Sequence, residues 1–250
     1  MFCEECIWDR WRADDFPYSR FIKSKFNTKF LIEPYISFNV GEEPLCFLLT
    51  NPGGGLDFQL KENMRSASSP VSLAESYFTN SVSLGTHYSE SLTGAARRRL
   101  DGMQSLSKKC RLDGVLQLET IPFHSKSLPS KNSLVGEVEA DEFLFDYLEH
   151  LRGFLENKNV FILSAVSSQK KIGGDSISKN PWLSFQSKLI NFDPETSSFL
   201  PLTEKNGEVT SCFLYEKKNS WCKGFILMMG GNHLPNDGAL EKIGHLFSFN

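Results

Sequence analysis

The apolar positions of this chain fall into two patterns. Four short runs are apolar almost without interruption: Leu45–Thr50, Val115–Leu118, Val160–Val166 and Phe225–Met229. Each is bounded by turn or polar residues, and none alternates, which is how strands covered on both faces read. Between them lie stretches with apolar residues at three- and four-residue steps. The clearest is Asp141–Glu156, where Phe143, Leu144, Tyr147, Leu148, Leu151, Phe154 and Leu155 recur at helical spacing before Asn157-Lys158-Asn159 ends the segment. Val71–Phe78, Trp182–Ile190 and Ala239–Leu246 carry weaker helical patterns. Strands alternating with helices predict an α/β fold, a three-layer sandwich around a central four-stranded parallel sheet.

Two stretches break this rhythm. Residues from about 61 to 111 are Ser-rich and contain Arg97-Arg98-Arg99. Residues from about 192 to 220 contain Asn206-Gly207 between strand-like pieces, a hairpin signal. Both read as insertions on a single domain spanning residues 1–250.

Composition narrows the class. A chain of 250 residues suffices for one large domain and is short for two. With 40% hydrophobic and 23% charged residues, it should bury a sizeable core. The formal net charge of −3 argues against a broad nucleic-acid footprint, but a local basic groove in an acidic body is enough for an enzyme that must release its product. The opening Met1-Phe2-Cys3-Glu4-Glu5-Cys6 is acidic and lacks an apolar h-region, and no apolar run is long enough to span a bilayer. A cytoplasmic protein with reduced cysteines and no membrane partner is therefore expected. Cys3 and Cys6 form a C-x-x-C, but no second C-x-x-C or paired His completes a site, so neither metal nor cofactor is expected. Cys46 and Cys222 sit in or beside apolar runs and read as core.

Three polar, Gly- or Pro-marked segments follow the apolar runs. The first is Leu48-Leu49-Thr50-Asn51-Pro52-Gly53-Gly54-Gly55, where Pro52 fixes the chain and the glycines let backbone amides approach a ligand. It lacks the Gly-Lys-Ser/Thr of a P-loop and the spacing of a dinucleotide fingerprint. The second runs from Leu116 to Ser125 and clusters Glu119, His124 and Ser125. The third, Met229-Gly230-Gly231-Asn232-His233-Leu234-Pro235-Asn236, ends the last run. Taken singly, each segment is also what a tight turn, a surface Glu or a loop His looks like. Together they fall at strand C-termini, the side of a parallel sheet where ligands bind. No G-x-S-x-G occurs, so a nucleophilic Ser triad is not supported.

Asn51-Pro52-Gly53 resembles the first motif of the mismatch-specific and single-strand-selective branches of the uracil-DNA glycosylase superfamily. Leu118-Glu119-Thr120-Ile121 resembles the superfamily's second-strand base-reading motif, with Glu119 where many members have Asn. His233 through Asn236 resembles its His-Pro-Ser loop, with Leu234 inserted between His233 and Pro235, and the three motifs follow the family's order. The resemblance implies a glycosylase-like fold and a flipped-out nucleotide held in a pocket. It implies Asn51 and His233 as catalytic residues, the first holding the attacking water and the second donating a hydrogen bond to the leaving base. Gly53, Gly54, Phe58 and Glu119 would bind the base. Phenylalanine occurs 21 times, so core packing competes with base stacking at Phe58. DNA would be the partner, with no obligate protein partner. Arg97, Arg98, Arg99, Ser125, Lys126, Asn232, Leu234 and Pro235 are the candidate contacts, with Lys108-Lys109 as a further basic pair.

Two residues bear on the substrate. Gly53 stands where strict uracil enzymes carry a bulky Tyr, leaving room for a C5 group. An ionised Glu119 only accepts hydrogen bonds, which suits the exocyclic amino group of cytosine. The expected substrate is thus a C5-modified cytosine, such as the hydroxymethylated or glucosylated forms of some bacteriophage DNA, with a host-defence role. The alternatives are a uracil or mismatch glycosylase of base-excision repair, a nucleoside or nucleotide hydrolase that does not act on DNA, and a binding module without activity.

Overall fold

The computed structural model describes residues 18–26, 35–38, 42–50, 94–123, 125, 131–166, 172–230 and 234–247, with the backbone alone for 35–38 and 94–97. Along the chain come α1 (Arg20–Lys25), β1 (Tyr35–Phe38), β2 (Leu45–Leu49), α2 (Gly94–Lys109), β3 (Val115–Glu119), α3 (Lys131–Ala140) and α4 (Glu142–Leu155). They are followed by β4 (Val160–Val166), α5 (Gly174–Ser178), α6 (Pro181–Leu189), β5 (Ser198–Lys205), β6 (Glu208–Lys218), β7 (Trp221–Met229) and α7 (Asp237–Phe247).

Local chemistry explains the boundaries. Asp141 caps α4, its Oδ1 accepting from the Leu144 N–H at 3.1 Å, and Leu144, Tyr147, Leu148, Leu151 and Leu155 form the buried stripe. Asn180 caps α6 the same way through the N–H groups of Trp182 and Leu183, and Pro181 takes the first helical position, where no N–H is needed. Asn206 (φ 53°) and Gly207 (φ 76°) make the left-handed two-residue turn that joins β5 to β6.

Among the described residues the strands form one seven-stranded mixed sheet in the order β1-β3-β2-β4-β7-β6-β5. This corrects the expected four-stranded parallel sheet. β3, β2, β4 and β7 are parallel neighbours, but β1 is antiparallel to β3, and β6 and β5 add an antiparallel pair beyond β7. β6 does carry an apolar run, Cys212-Phe213-Leu214-Tyr215, inside the stretch expected as an insertion, and it is buried from Ser211 to Leu214. β5, at the margin, is exposed or half-buried at every position except Leu202, as an antiparallel strand wetted on one side reads. Residues 198–218, within one expected insertion, are thus a continuation of the sheet. Residues 94–109, within the other, form the helix that precedes β3.

Helices cover both faces. Strand alternation sends Cys46, Leu48, Leu116, Leu118, Val160 and Ile162 to one face, under α3, α4 and α6. It sends Leu45, Phe47, Val115 and Phe161 to the other, under α2 and α7. Those two helices run side by side: Ser105 Oγ donates to Asp237 Oδ1 at 2.6 Å, and Lys109 pairs with Glu241 at 3.3 Å. Cys46, Cys110, Cys212 and Cys222 are buried free thiols, and burial pushes the first, third and fourth up to about 12, so they pack rather than react. No helix among the described residues is long and apolar enough to cross a membrane.

The sheet is closely packed at Gly224 of β7. A Cβ there would stand 2.5 Å from Phe213 Cε2 and 2.6 Å from the Leu214 carbonyl oxygen. The Phe213 ring also packs edge-on to Phe161, 4.7 Å between centroids, so it cannot withdraw freely. Gly224→Ala should cost about 1–3 kcal/mol, the usual penalty of overpacking. Urea unfolding measures it; an unchanged midpoint would show that the ring moves aside at no cost.

Candidate functional site at the carboxyl edge of the sheet

The parallel strands end in two pairs, β4 and β7 running further than β2 and β3. Leu49 pairs with Glu119 across β2 and β3, and Val166 with Met229 across β4 and β7. The described chain after β2 continues in α2 on one face, whereas β3 leads to α3 on the other. The order of the parallel strands therefore reverses between β2 and β4. Thr50, the residue before Asn51, follows β2 at this carboxyl edge, and Glu119 ends the neighbouring strand β3.

Glu119 is 1% exposed. By strand alternation it shares the α2-facing side of β3 with Val115 and Gln117. Gln117 Nε2 donates to Glu119 Oε1 at 2.8 Å. The Tyr147 hydroxyl, from α4 on the opposite face, donates to the Glu119 carbonyl oxygen. Burial, followed by the nearby Glu119 charge, raises the Tyr147 pKa, so its hydroxyl keeps its proton. Glu119 is therefore fixed at both its backbone and its side chain.

A second polar node holds the start of the Asn51 loop. Thr120 Oγ1 donates to the Leu49 carbonyl oxygen at 2.6 Å and accepts from Gln186 Nε2 of α6 at 3.0 Å. The Thr120 and Ile121 N–H groups reach the Leu49 and Thr50 carbonyl oxygens at 3.0 and 2.8 Å. Parallel pairing thus runs one residue past each strand, tying the chain that leads to Asn51 to the chain that carries Glu119. Both Thr120 and Gln186 are buried, where satisfied polar groups specify a single arrangement.

Cations stand over the same edge. Arg99 is half-buried and Arg98 exposed on α2, near its N-terminal end, and Lys131 begins α3. Lys131 is an exposed residue whose ammonium end is partly withdrawn from water. That desolvation, then the Arg99 charge, lowers its pKa, and the Glu119 carboxylate acts in the opposite direction. Among the described residues neither Arg99 nor Lys131 has an ion-pair partner.

The expected site residues divide accordingly. Glu119, Arg98 and Arg99 come to the carboxyl edge. Asn51, Gly53, Gly54, Phe58, Lys126, Asn232 and His233 lie outside the described residues, as do Cys3 and Cys6, and Arg97 is described by its backbone alone. Ser125 is buried instead of displayed at the surface. Leu234, expected at the DNA, packs into the α2–α7 core opposite Gly102. A Cβ on that glycine would come within 2.9 Å of Leu234 Cδ1, so the glycine makes its seat. Pro235 is half-buried, and Asn236 then caps α7, its Oδ1 accepting from the Ala239 N–H at 3.0 Å. Leu234 is thus an apolar anchor between α2 and α7. Lys108 and Lys109 belong to the last turn of α2, about 15 Å along the helix from Arg98 and Arg99, and Lys109 is engaged by Glu241.

Gln117, Thr120, Lys131, Tyr147 and Gln186 join the site without having been singled out in the sequence. Gln117 and Thr120 lie within the second polar segment, and the other three lie in no motif. Comparison of the chain with protein-family models, characterised proteins and solved structures finds no match.

Proposed function

We propose that this chain is a DNA glycosylase that hydrolyses the N-glycosidic bond of a flipped-out pyrimidine, with a C5-modified cytosine as its substrate. The observation that carries this reading is the buried Glu119 carboxylate, clamped by Gln117 at the carboxyl end of β3, beside the strand that leads to Asn51. A carboxylate withdrawn from water and held by a donor is built to accept one specific hydrogen bond, and the exocyclic amino group of cytosine supplies it. On this reading the four parallel strands are the sheet of the uracil-DNA glycosylase superfamily. Water held by Asn51 adds to the sugar's anomeric carbon as the C–N bond breaks. The base departs as an anion stabilised by His233 and by the amides of Gly53 and Gly54, and takes up a proton from solvent.

Free base is the readout, identified by mass spectrometry after incubation with duplexes carrying uracil, cytosine, 5-hydroxymethylcytosine or its glucosylated form. The modified cytosines should be released fastest. Release of uracil alone would replace this reading with an ordinary uracil glycosylase. The net charge of −3 favours one other reading, a hydrolase of free nucleosides or nucleotides using the same site. Release from the matching nucleosides but from no duplex would establish it.

On the glycosylase reading, Arg98, Arg99 and Lys131 bind backbone phosphates. Changing all three to Gln should weaken duplex binding and flatten its log–log salt dependence by about 0.9 for each phosphate that is no longer neutralised. Fluorescence anisotropy across a salt series measures both. Unchanged affinity and slope would reassign these residues to a solvated surface.

A further inference from the structure

Glu119 does not act alone on its side of β3. Gln117 precedes it by two residues, projects to the same side, and places Nε2 2.8 Å from Oε1. An ionised carboxylate has no proton to give, so the amide must turn its N–H inward, which fixes its orientation. In return the amide stabilises the charged carboxylate more than the neutral acid. Charged and polar groups of the packed elements also lie near Glu119. Lys131 approaches from α3, with Arg99 of α2 beside it, and Tyr147 of α4 donates to the Glu119 carbonyl oxygen.

We propose that Gln117 is a positioning residue that holds Glu119 as a hydrogen-bond acceptor, so that the pair admits a base edge carrying an amino group and rejects one carrying a carbonyl. This inference rests on the glycosylase reading and adds to it the residue that sets the selectivity. Gln117 engages Oε1, and the base is read by acceptor capacity that the carboxylate keeps beyond that bond. When Gln117 is replaced by an apolar side chain, the carboxyl group takes up a proton more readily and becomes a donor, which is what a carbonyl edge requires.

The test exchanges the two side chains. Gln117→Met keeps the length and removes the donor; it should lower the ratio of release rates, cytosine-type over uracil-type, by about tenfold. Glu119→Gln alone should relax discrimination, because two facing amides have no preferred orientation. Combining it with Gln117→Glu should restore the wild-type preference: the carboxylate at position 117 takes the amide N–H and leaves the carbonyl oxygen facing the base. A side chain that merely fills space would not be rescued by this exchange. An unchanged ratio in Gln117→Met, or a double variant no more selective than Glu119→Gln, overturns the proposal.

A second measurement does not depend on activity. The Glu119 side-chain carboxyl resonance, identified by its loss in Glu119→Gln, is titrated by NMR in wild type and in Gln117→Met. Its midpoint should move up when the amide is removed, and an unmoved midpoint also overturns the proposal. If wild type releases no base from any DNA, the glycosylase reading falls, and the titration still decides whether Gln117 holds Glu119 as an acceptor.

Discussion

Replacing Asn51 or His233 with alanine should slow base release about 100–1000-fold, the loss of about 2.7–4 kcal/mol that follows removal of one preorganised polar group. On the glycosylase reading proposed above, both roles arise in the transition state. The bond breaks with positive charge growing on the sugar and negative charge on the base, so a donor at His233 gains strength only as the base becomes an anion. Water adding to a cationic sugar needs placement more than deprotonation, which an amide at Asn51 can provide. The polar node at Thr120 and Gln186 matters here because it anchors Leu49 and Thr50, the two residues before Asn51. Such interactions act on kcat more than on substrate binding. The check is single-turnover release at saturating enzyme, beside a thermal melt. Rates within a few-fold of wild type, with an unchanged melting temperature, would remove these residues from the chemistry.

How far such a site can be read from sequence depends on where its signals lie. β4 is legible end to end, because Val160–Val166 is apolar at every position but Ser164 and lies in the middle of the sheet. The helix expected over 141–156 is observed over Glu142–Leu155, because a wide apolar stripe and a capping Asp both mark it. The strands at the sheet's margins leave a weaker trace, since half-wetted residues alternate and mix with polar ones. α2 hides for a related reason: its apolar contacts narrow to Leu100, Met103 and Leu106 in an otherwise polar, Arg-rich helix. Glu119 is legible because it closes an apolar run. Gln117 interrupts the same run, and only the strand's alternation shows that it points where Glu119 points. Gln186 is beyond any local motif: its amide reaches the Leu49 carbonyl oxygen across 137 positions of the chain.

The remaining expected result concerns the base. Wild type should favour a cytosine-type edge over a uracil-type edge by about two to four orders of magnitude. That scale follows from adding about 1–3 kcal/mol for an acceptor left unpaired to about 1.5–3 kcal/mol for a charge-assisted bond gained. At 1% exposure Glu119 has little water to soften a mismatch, so facing uracil O4 would place two acceptors together in a dry site. Glu119→Gln can donate or accept through its amide, and it should lose most of that preference while still releasing base. Gly53→Tyr tests the other half of the assignment: a ring beside pyrimidine C5 should exclude glucosylated cytosine first, hydroxymethylated cytosine next and unmodified cytosine last. The pH dependence separates the two halves. At low pH a protonated Glu119 becomes a donor, and uracil-type release should rise relative to cytosine-type release, whereas steric exclusion by Tyr should not vary with pH. A wild-type enzyme that ignores every modified cytosine, or a Gly53→Tyr variant that accepts the glucosylated base as before, would show that the pocket was assigned to the wrong base.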